Sequence, residues 1–316
     1  MDQALNKASG EMSLLLNRVT LAGRMIAMEI MRAGLHGTLG KTGEVNVQGE
    51  EVKALDMISN EVFLQVFRNI DVVKSLASEE MEHTHDYTSH RKGKYVLMFD
   101  PLDGSGNIDV DGSMGTIFSI FRREDPSAAG SPEDFFRKGS EQIAAGYVLY
   151  GPATMFVYTA GHGVNGFTLD RSVGVFYLTH PKMKFAEGGG SYSVNEANES
   201  KWDANTREMV RRFRTGETEC GKRSARYVGA LVSDFHRTMI QGGIYMYPAD
   251  SKNPNGKLRL LYEAAPLAMV ARDAGGAASI GTMDVLDVVP DHLHQRVPLY
   301  IGSKPDVAEA VRLLNS

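Results

Sequence analysis

The chain has 316 residues, with 34 Lys and Arg against 39 Asp and Glu, and a formal net charge of −5. Its 42% hydrophobic and 23% charged residues are the profile of a folded chain, its length suggests about two domains or one large layered domain, and its slight acidity argues against general nucleic-acid binding, which needs a basic surface. The single cysteine, Cys220, excludes an internal disulfide, a cysteine zinc cluster and a dithiol switch. Residues 1–10 show no charged start followed by an apolar core, so no export signal is read and a cytoplasmic protein is expected.

Residues 9–34 predict a long helix, because Leu15, Val19, Ala22, Ile26, Ile30 and Ala33 form one apolar stripe. Residues 35–49 read as a loop. Residues 51–68 read as a second helix with Val52, Leu55, Ile58, Val62 and Val66 inward, and 71–76 as a strand. The apolar run 95–99 predicts a central strand buried on both faces, ending at Asp100-Pro101. Further strands are expected at 116–122, 146–150, 155–159, 165–169 and 175–178. The uncharged stretch 142–161 is long enough for a membrane, but Gly146, Gly151, Pro152 and Gly161 interrupt it, and it predicts two buried strands instead. A basic, then glycine-rich segment at 182–190 sets the expected domain boundary, dividing the chain into 1–185 and 186–316. Beyond it, helices are predicted at 206–213, 226–236, 257–274 (disturbed by Pro266) and 306–314, and strands at 243–247 and 298–301. The mixture predicts a layered α/β or α+β class.

The chemistry concentrates at Phe99-Asp100-Pro101-Leu102-Asp103-Gly104-Ser105. Two carboxylates follow a buried strand, where α/β proteins bind ligands. Pro101 turns the chain, so that Asp100, Asp103 and the Leu102 carbonyl can face one hard cation. Gly104, Ser105, Gly106 and Asn107 then offer open backbone N–H groups to a phosphate. The plainer reading is an Asp-Gly turn. A calcium loop beginning at Asn107 lacks the required acid, because Phe118 stands in its place. Ser78-Glu79-Glu80 follows another predicted strand and can reach the same sheet edge, although adjacent acids ordinarily mark solvated surface. Glu50 and Asp56 read either as partners of this set or as acids favoured at a helix start. Lys257 and Arg259 at a predicted helix start call for an anion such as phosphate, the alternative being a surface pair of Arg259 with Glu263. Lys222, Arg223 and Arg226 read as a solvated face or a second phosphate site.

In order along nearly the whole chain, residues 49–56, 78–80, 94–96, 99–105, 225–229 and 254–263, ending with His294-Gln295-Arg296, resemble class I fructose-1,6-bisphosphatase. The Asp-Pro-Leu-Asp-Gly-Ser motif by itself marks the wider lithium-sensitive, metal-dependent sugar phosphatase superfamily. The resemblance implies a layered αβαβα sandwich, a homotetramer, and hydrolysis of the 1-phosphate of fructose 1,6-bisphosphate to fructose 6-phosphate in gluconeogenesis or the Calvin cycle. It implies Mg2+ ions, two or three per subunit with Mn2+ as an alternative, held by Glu79, Asp100, Leu102, Asp103 and Glu263, with Glu80, Asp56 and Glu50 serving catalysis. Asp103, Gly104, Ser105 and Gly106 would line the 1-phosphate. Asn195, Tyr227, Tyr245, Tyr247 and Lys257 would hold the sugar and 6-phosphate, with Arg226 arriving from a neighbouring subunit. Gly106 stands where most members have serine. Ser9, Gly10, Glu11, Met12, Ser13, Lys94, Tyr95 and Arg122 resemble the family's inhibitory AMP site. The competing readings are sedoheptulose 1,7-bisphosphate or an inositol phosphate as substrate, and a non-catalytic regulator that binds metal and sugar phosphate. No nucleic-acid or membrane partner is expected.

Overall fold

The computed structural model describes residues 10–36, 41–45, 51–87, 93–186 and 189–316. The apolar stripe of the first segment forms helix α1 (Gly10–His36), which runs past Gly34 and buries Leu15, Val19, Ala22 and Ile26. The expected loop after it contains β1 (Lys41–Val45), paired antiparallel with β2 (Glu51–Lys53). Helix α2 (Ala54–Phe67) therefore starts three residues later than the pattern predicts. Lys53 is extended at its N-cap, and its N–H donates to the Asp56 carboxylate at 3.2 Å.

The strands of the large sheet are β3 (Val73–Ser78), β4 (His85–Asp86), β5 (Tyr95–Asp103), β6 (Met114–Arg122), β7 (Ala144–Tyr150), β8 (Thr154–Thr159), β9 (Val164–Asp170) and β10 (Val175–Met183). Their order is β10-β9-β8-β7-β6-β5-β3-β4. Every pair is antiparallel except β3 with β5. The stretch 142–161 is the β7–β8 pair, as its glycines and proline suggest. Strand β5 does not stop at Pro101. A register shift between Asp100 and Asp103 absorbs the proline, and the Pro101 carbonyl accepts from the Thr116 hydroxyl at 2.8 Å.

The second half contributes β11 (Ser191–Ser193), β12 (Ser224–Ala225), β13 (Gly243–Tyr247), β14 (Leu258–Arg259), β15 (Gly276–Ser279), β16 (Arg296–Val297) and β17 (Leu299–Ser303). Five of them form a second sheet in the order β12-β11-β13-β17-β15. Its helices are α3 (Ala204–Thr215), α4 (Leu231–Gln241), α5 (Ala265–Asp273) and α6 (Lys304–Leu314). Two predicted helices are corrected here. Residues 226–230 form a turn before α4. The segment 257–274 divides into β14, a π-helical turn (Leu260–Ala264) and α5, where Pro266 lies in the first turn and needs no N–H partner.

Among the described residues, three of the four apolar clusters tie five layers together. One joins α1 and α2 to the large sheet. The second joins the other face of that sheet, through Ile117, Tyr147 and Val157, to α4, α5 and the second sheet. The third joins the far face of the second sheet, through Tyr192, Ile244 and Tyr300, to α3 and α6. The architecture is an αβαβα sandwich. No helix among the described residues is long and apolar enough to cross a membrane.

Candidate active site

Parallel pairing decides where the acids meet. Because β3 and β5 run the same way, with Ser78 opposite Phe99, their carboxyl ends lie side by side. The Glu79 N–H donates to the Phe99 carbonyl at 3.2 Å, carrying Glu79 and Glu80 to the edge where β5 delivers Asp100 and Asp103. Glu263 reaches the same point from the π-helical turn. One carboxylate oxygen each of Asp100, Asp103 and Glu263 lies within 4.8 Å of the others, and all three residues are buried.

Each acid is held in place. The Leu102 N–H donates to Asp100 at 2.9 Å. Asp103 accepts from the N–H groups of Leu231 and Val232 at 3.1 and 2.7 Å, at the start of α4. Gly104 makes that approach possible: its φ is +77°, and a Cβ there would lie 2.4 Å from that of Ala230. Glu263 accepts from the Arg259 N–H at 2.5 Å. The Arg259 guanidinium is buried 3.3 Å from Glu79. Arg259 is therefore a counter-charge within the acid cluster, neither a surface partner of Glu263 nor a phosphate ligand at a helix start.

The electrostatics are those of a site built for added positive charge. Burial, then Glu79, Asp103, Glu263 and Glu80, pushes the Asp100 carboxyl well above the usual range. Burial and Glu79 do the same to Glu263. Burial raises Asp103 to about 7 against its two N–H donors, and Asp56 to about 6 against Lys53 and Ser105. A donor set of buried carboxylates that repel one another fits a hard divalent cation. Next to it, Ser105–Val110 forms a 3-10 turn, and a Cβ on Gly106 would meet no atom within 4 Å. Lys53 pairs with Asp109 at 2.9 Å, which sets the calcium-loop reading aside.

The same topology rule operates in the second sheet. Strands β11, β12 and β13 are mutually parallel, so Asn195, Arg226 with Tyr227, and Tyr247 emerge at one edge. Tyr227 is hydrogen-bonded to Asn195, and although the residue is 41% exposed, desolvation of its hydroxyl with Tyr247, Asp234 and Asp103 pushes that group up to about 12. Tyr245 is buried in the same group. Lys257 is exposed in the turn before β14, and Arg226 is exposed with its guanidinium on the Ala225 carbonyl at 2.7 Å. Arg223 is not a phosphate ligand: it is buried against Asp306 at 2.8 Å.

Elsewhere, the start of α1 meets the large sheet. Glu11 accepts from Lys94 at 2.6 Å and from Tyr95 at 3.2 Å, and these bonds, together with Arg122, hold its carboxyl below the usual range. Gly10, Met12 and Ser13 lie on the same helix start. Glu50 and Ser9 fall outside the described residues. Sequence reasoning missed Asp234, a fully buried acid in α4 that receives N–H donors from Val228 and Gly229. An acid early in a helix reads as a dipole partner, and only the tertiary fold shows what it binds.

The family model described as the N-terminal domain of fructose-1,6-bisphosphatase matches residues 1–181, and that of its C-terminal domain matches 185–315. The chain is 49% identical over 309 residues to a class 1 fructose-1,6-bisphosphatase of Trichormus variabilis, covering 97% of this chain and 87% of that protein. It is 48% identical over 308 residues to one of Persephonella marina, covering 98% and 94%. Its structure is similar to the holo form of the Leishmania major fructose-1,6-bisphosphatase, with a TM-score of 0.93 at 39% identity over 98% of this chain and 96% of that one.

Proposed function

The chain belongs to the class 1 fructose-1,6-bisphosphatase family and hydrolyses fructose 1,6-bisphosphate, and we propose that the acids at the ends of β3 and β5 remove its 1-phosphate with Mg2+. The observation that carries this reading is the convergence of Asp100, Asp103 and Glu263 within 4.8 Å, with Glu79 beside them. Cations held by these acids would supply the Lewis acidity and the activated water of phosphate-ester hydrolysis. Around them, Gly104, Ser105 and Gly106 present backbone N–H groups to the 1-phosphate. Asn195, Tyr227, Tyr245, Tyr247 and Lys257 take the sugar and the 6-phosphate. Asp56 and Glu80 help activate the attacking water, one of the two carboxylates taking its proton. Glu50 is proposed to support them from the segment before β2.

We take residues 1–185 as the half that supplies most metal acids and 186–316 as the sugar half, with Glu263 crossing between them. A cytoplasmic homotetramer with Arg226 serving a neighbouring site completes the reading, and sedimentation in solution reads that assembly directly. Measured phosphate release in Mg2+ is expected from fructose 1,6-bisphosphate in preference to sedoheptulose 1,7-bisphosphate, with none from inositol phosphate. No release from the fructose substrate would overturn the function.

The Glu11, Lys94, Tyr95 and Arg122 group is proposed as an AMP site. A phosphate would displace Glu11 from Lys94. Lys94→Ala is then expected to raise the AMP concentration for half-inhibition by about tenfold or more, the worth of a charged hydrogen bond. A wild-type enzyme indifferent to millimolar AMP would remove this site.

A further inference from the structure

Helix α4 begins by holding Asp103 on the N–H groups of Leu231 and Val232. Two residues further on, the same turn carries a second fully buried carboxylate, Asp234, which the reaction described above does not use. A buried carboxylate has about four acceptor positions to fill, and leaving them empty is costly. Asp234 fills them from three separate segments. The Ser193 hydroxyl donates at 2.9 Å, the Val228 N–H at 3.1 Å to both oxygens, the Gly229 N–H at 3.0 Å and the Arg237 guanidinium at 2.5 Å. Arg237 also donates to the Arg226 carbonyl at 3.0 Å.

We propose that Asp234 is a positioning residue that sets the affinity for the sugar bisphosphate, by fixing the 226–229 turn and the strand end that leads to Asn195 onto the helix that holds Asp103. The inference rests on the reading of Tyr227 and Asn195 as sugar-binding groups. Ser193 closes β11 two residues before Asn195, and Val228 and Gly229 directly follow Tyr227. Residues 226–229 are exposed and lie in neither helix nor strand, so the hydrogen bonds to Asp234 and Arg237 shape the turn together with that of the Arg226 N–H to the Tyr192 carbonyl at 3.0 Å. Gly229, with φ at +85°, lets the chain aim two successive N–H groups at one carboxylate. Asp234 does not meet the substrate itself, because its charge is buried and answered by Arg237. Its work is to order the turn before substrate arrives, so that ordering is not charged against binding.

The test compares steady-state kinetics and thermal stability of the full-length enzyme in Mg2+. Asp234→Asn keeps the shape but turns an NH2 group toward the Val228 and Gly229 donors. It is expected to raise KM for fructose 1,6-bisphosphate about tenfold, with kcat and the Mg2+ concentration for half-activation within about threefold. Ser193→Ala removes a single donor, carries the test should Asp234→Asn fail to fold, and is expected to raise KM about threefold. Tyr227→Phe serves as the control for the sugar site. A KM raised by Tyr227→Phe but unmoved by Asp234→Asn or Ser193→Ala overturns the inference and leaves the proposed function standing. A lowered melting temperature with unchanged KM means a merely structural role and also overturns it. An unmoved KM in Tyr227→Phe removes the sugar-site reading and this inference with it.

Discussion

Asp100→Asn is expected to cut turnover of fructose 1,6-bisphosphate about a thousandfold or more, because a metal-held charge contributes several kcal/mol to the transition state, and to make the metal-free protein more stable to heat. The two effects have one cause. Asp100 is buried among Glu79, Asp103, Glu263 and Glu80, all of one sign. Without a cation, burial and these neighbours oppose its charge, and the amide relieves both. The amide oxygen can still accept from the Leu102 N–H, now 2.9 Å from Asp100, so the turn is kept. Asp103→Ala should lose turnover to a similar extent but gain less heat stability, because relief of its own raised carboxyl is offset by lost hydrogen bonds. It orphans the Leu231 and Val232 N–H groups at the start of α4, a loss of about 1–3 kcal/mol. Phosphate-release rates and melting curves in EDTA read both outcomes. A near-normal rate in either variant would take that acid out of the metal set. A lowered melting point for metal-free Asp100→Asn would show that its charge is not under strain.

The divided behaviour of these two neighbours also shows what the sequence could and could not tell. The buried run 95–99 and the acids after it point to the acid-lined edge, because a strand buried on both faces has few places to put a carboxylate except its end. The helices 204–215 and 304–314 and strand 243–247 were likewise local patterns. What stayed hidden depends on pairings between distant segments. Strand β1 is a strand only because β2 returns beside it. Pro101 lies inside β5 only because β6 accepts a register shift there. Arg259 reads as a phosphate ligand or a surface partner of Glu263, but the fold buries it 3.3 Å from Glu79. Residues 226–230 read as the first part of a helix over 226–236, yet the Asp234 carboxylate holds Val228 and Gly229 out of it. In each case a hydrogen bond, ion pair or strand pairing that the local pattern does not show overrides it.

Removal of the metal should be visible in how stability depends on pH, and it should abolish turnover throughout. Asp103 is raised to about 7 and Asp56 to about 6, and Asp100 and Glu263 are raised as well. In the unfolded chain these carboxyls release their protons near pH 4. Between about pH 4 and about 7 the metal-free native state therefore holds more protons than the unfolded state, and its stability must fall as pH rises through that window. Cation binding requires the same groups to be deprotonated, so it expels those protons and tightens as pH rises. The stabilisation from saturating Mg2+ should therefore widen from about pH 5 to about 8, as mass action on a ligand of rising affinity demands. Melting temperatures taken across that range in EDTA should decline toward high pH, while those in Mg2+ should hold or climb. Turnover in Mg2+ should fall on the acid side as the acids take up protons. Parallel melting curves with and without Mg2+ would mean that these carboxyls do not titrate with the metal. Turnover that survives EDTA would remove the cation from the reaction altogether.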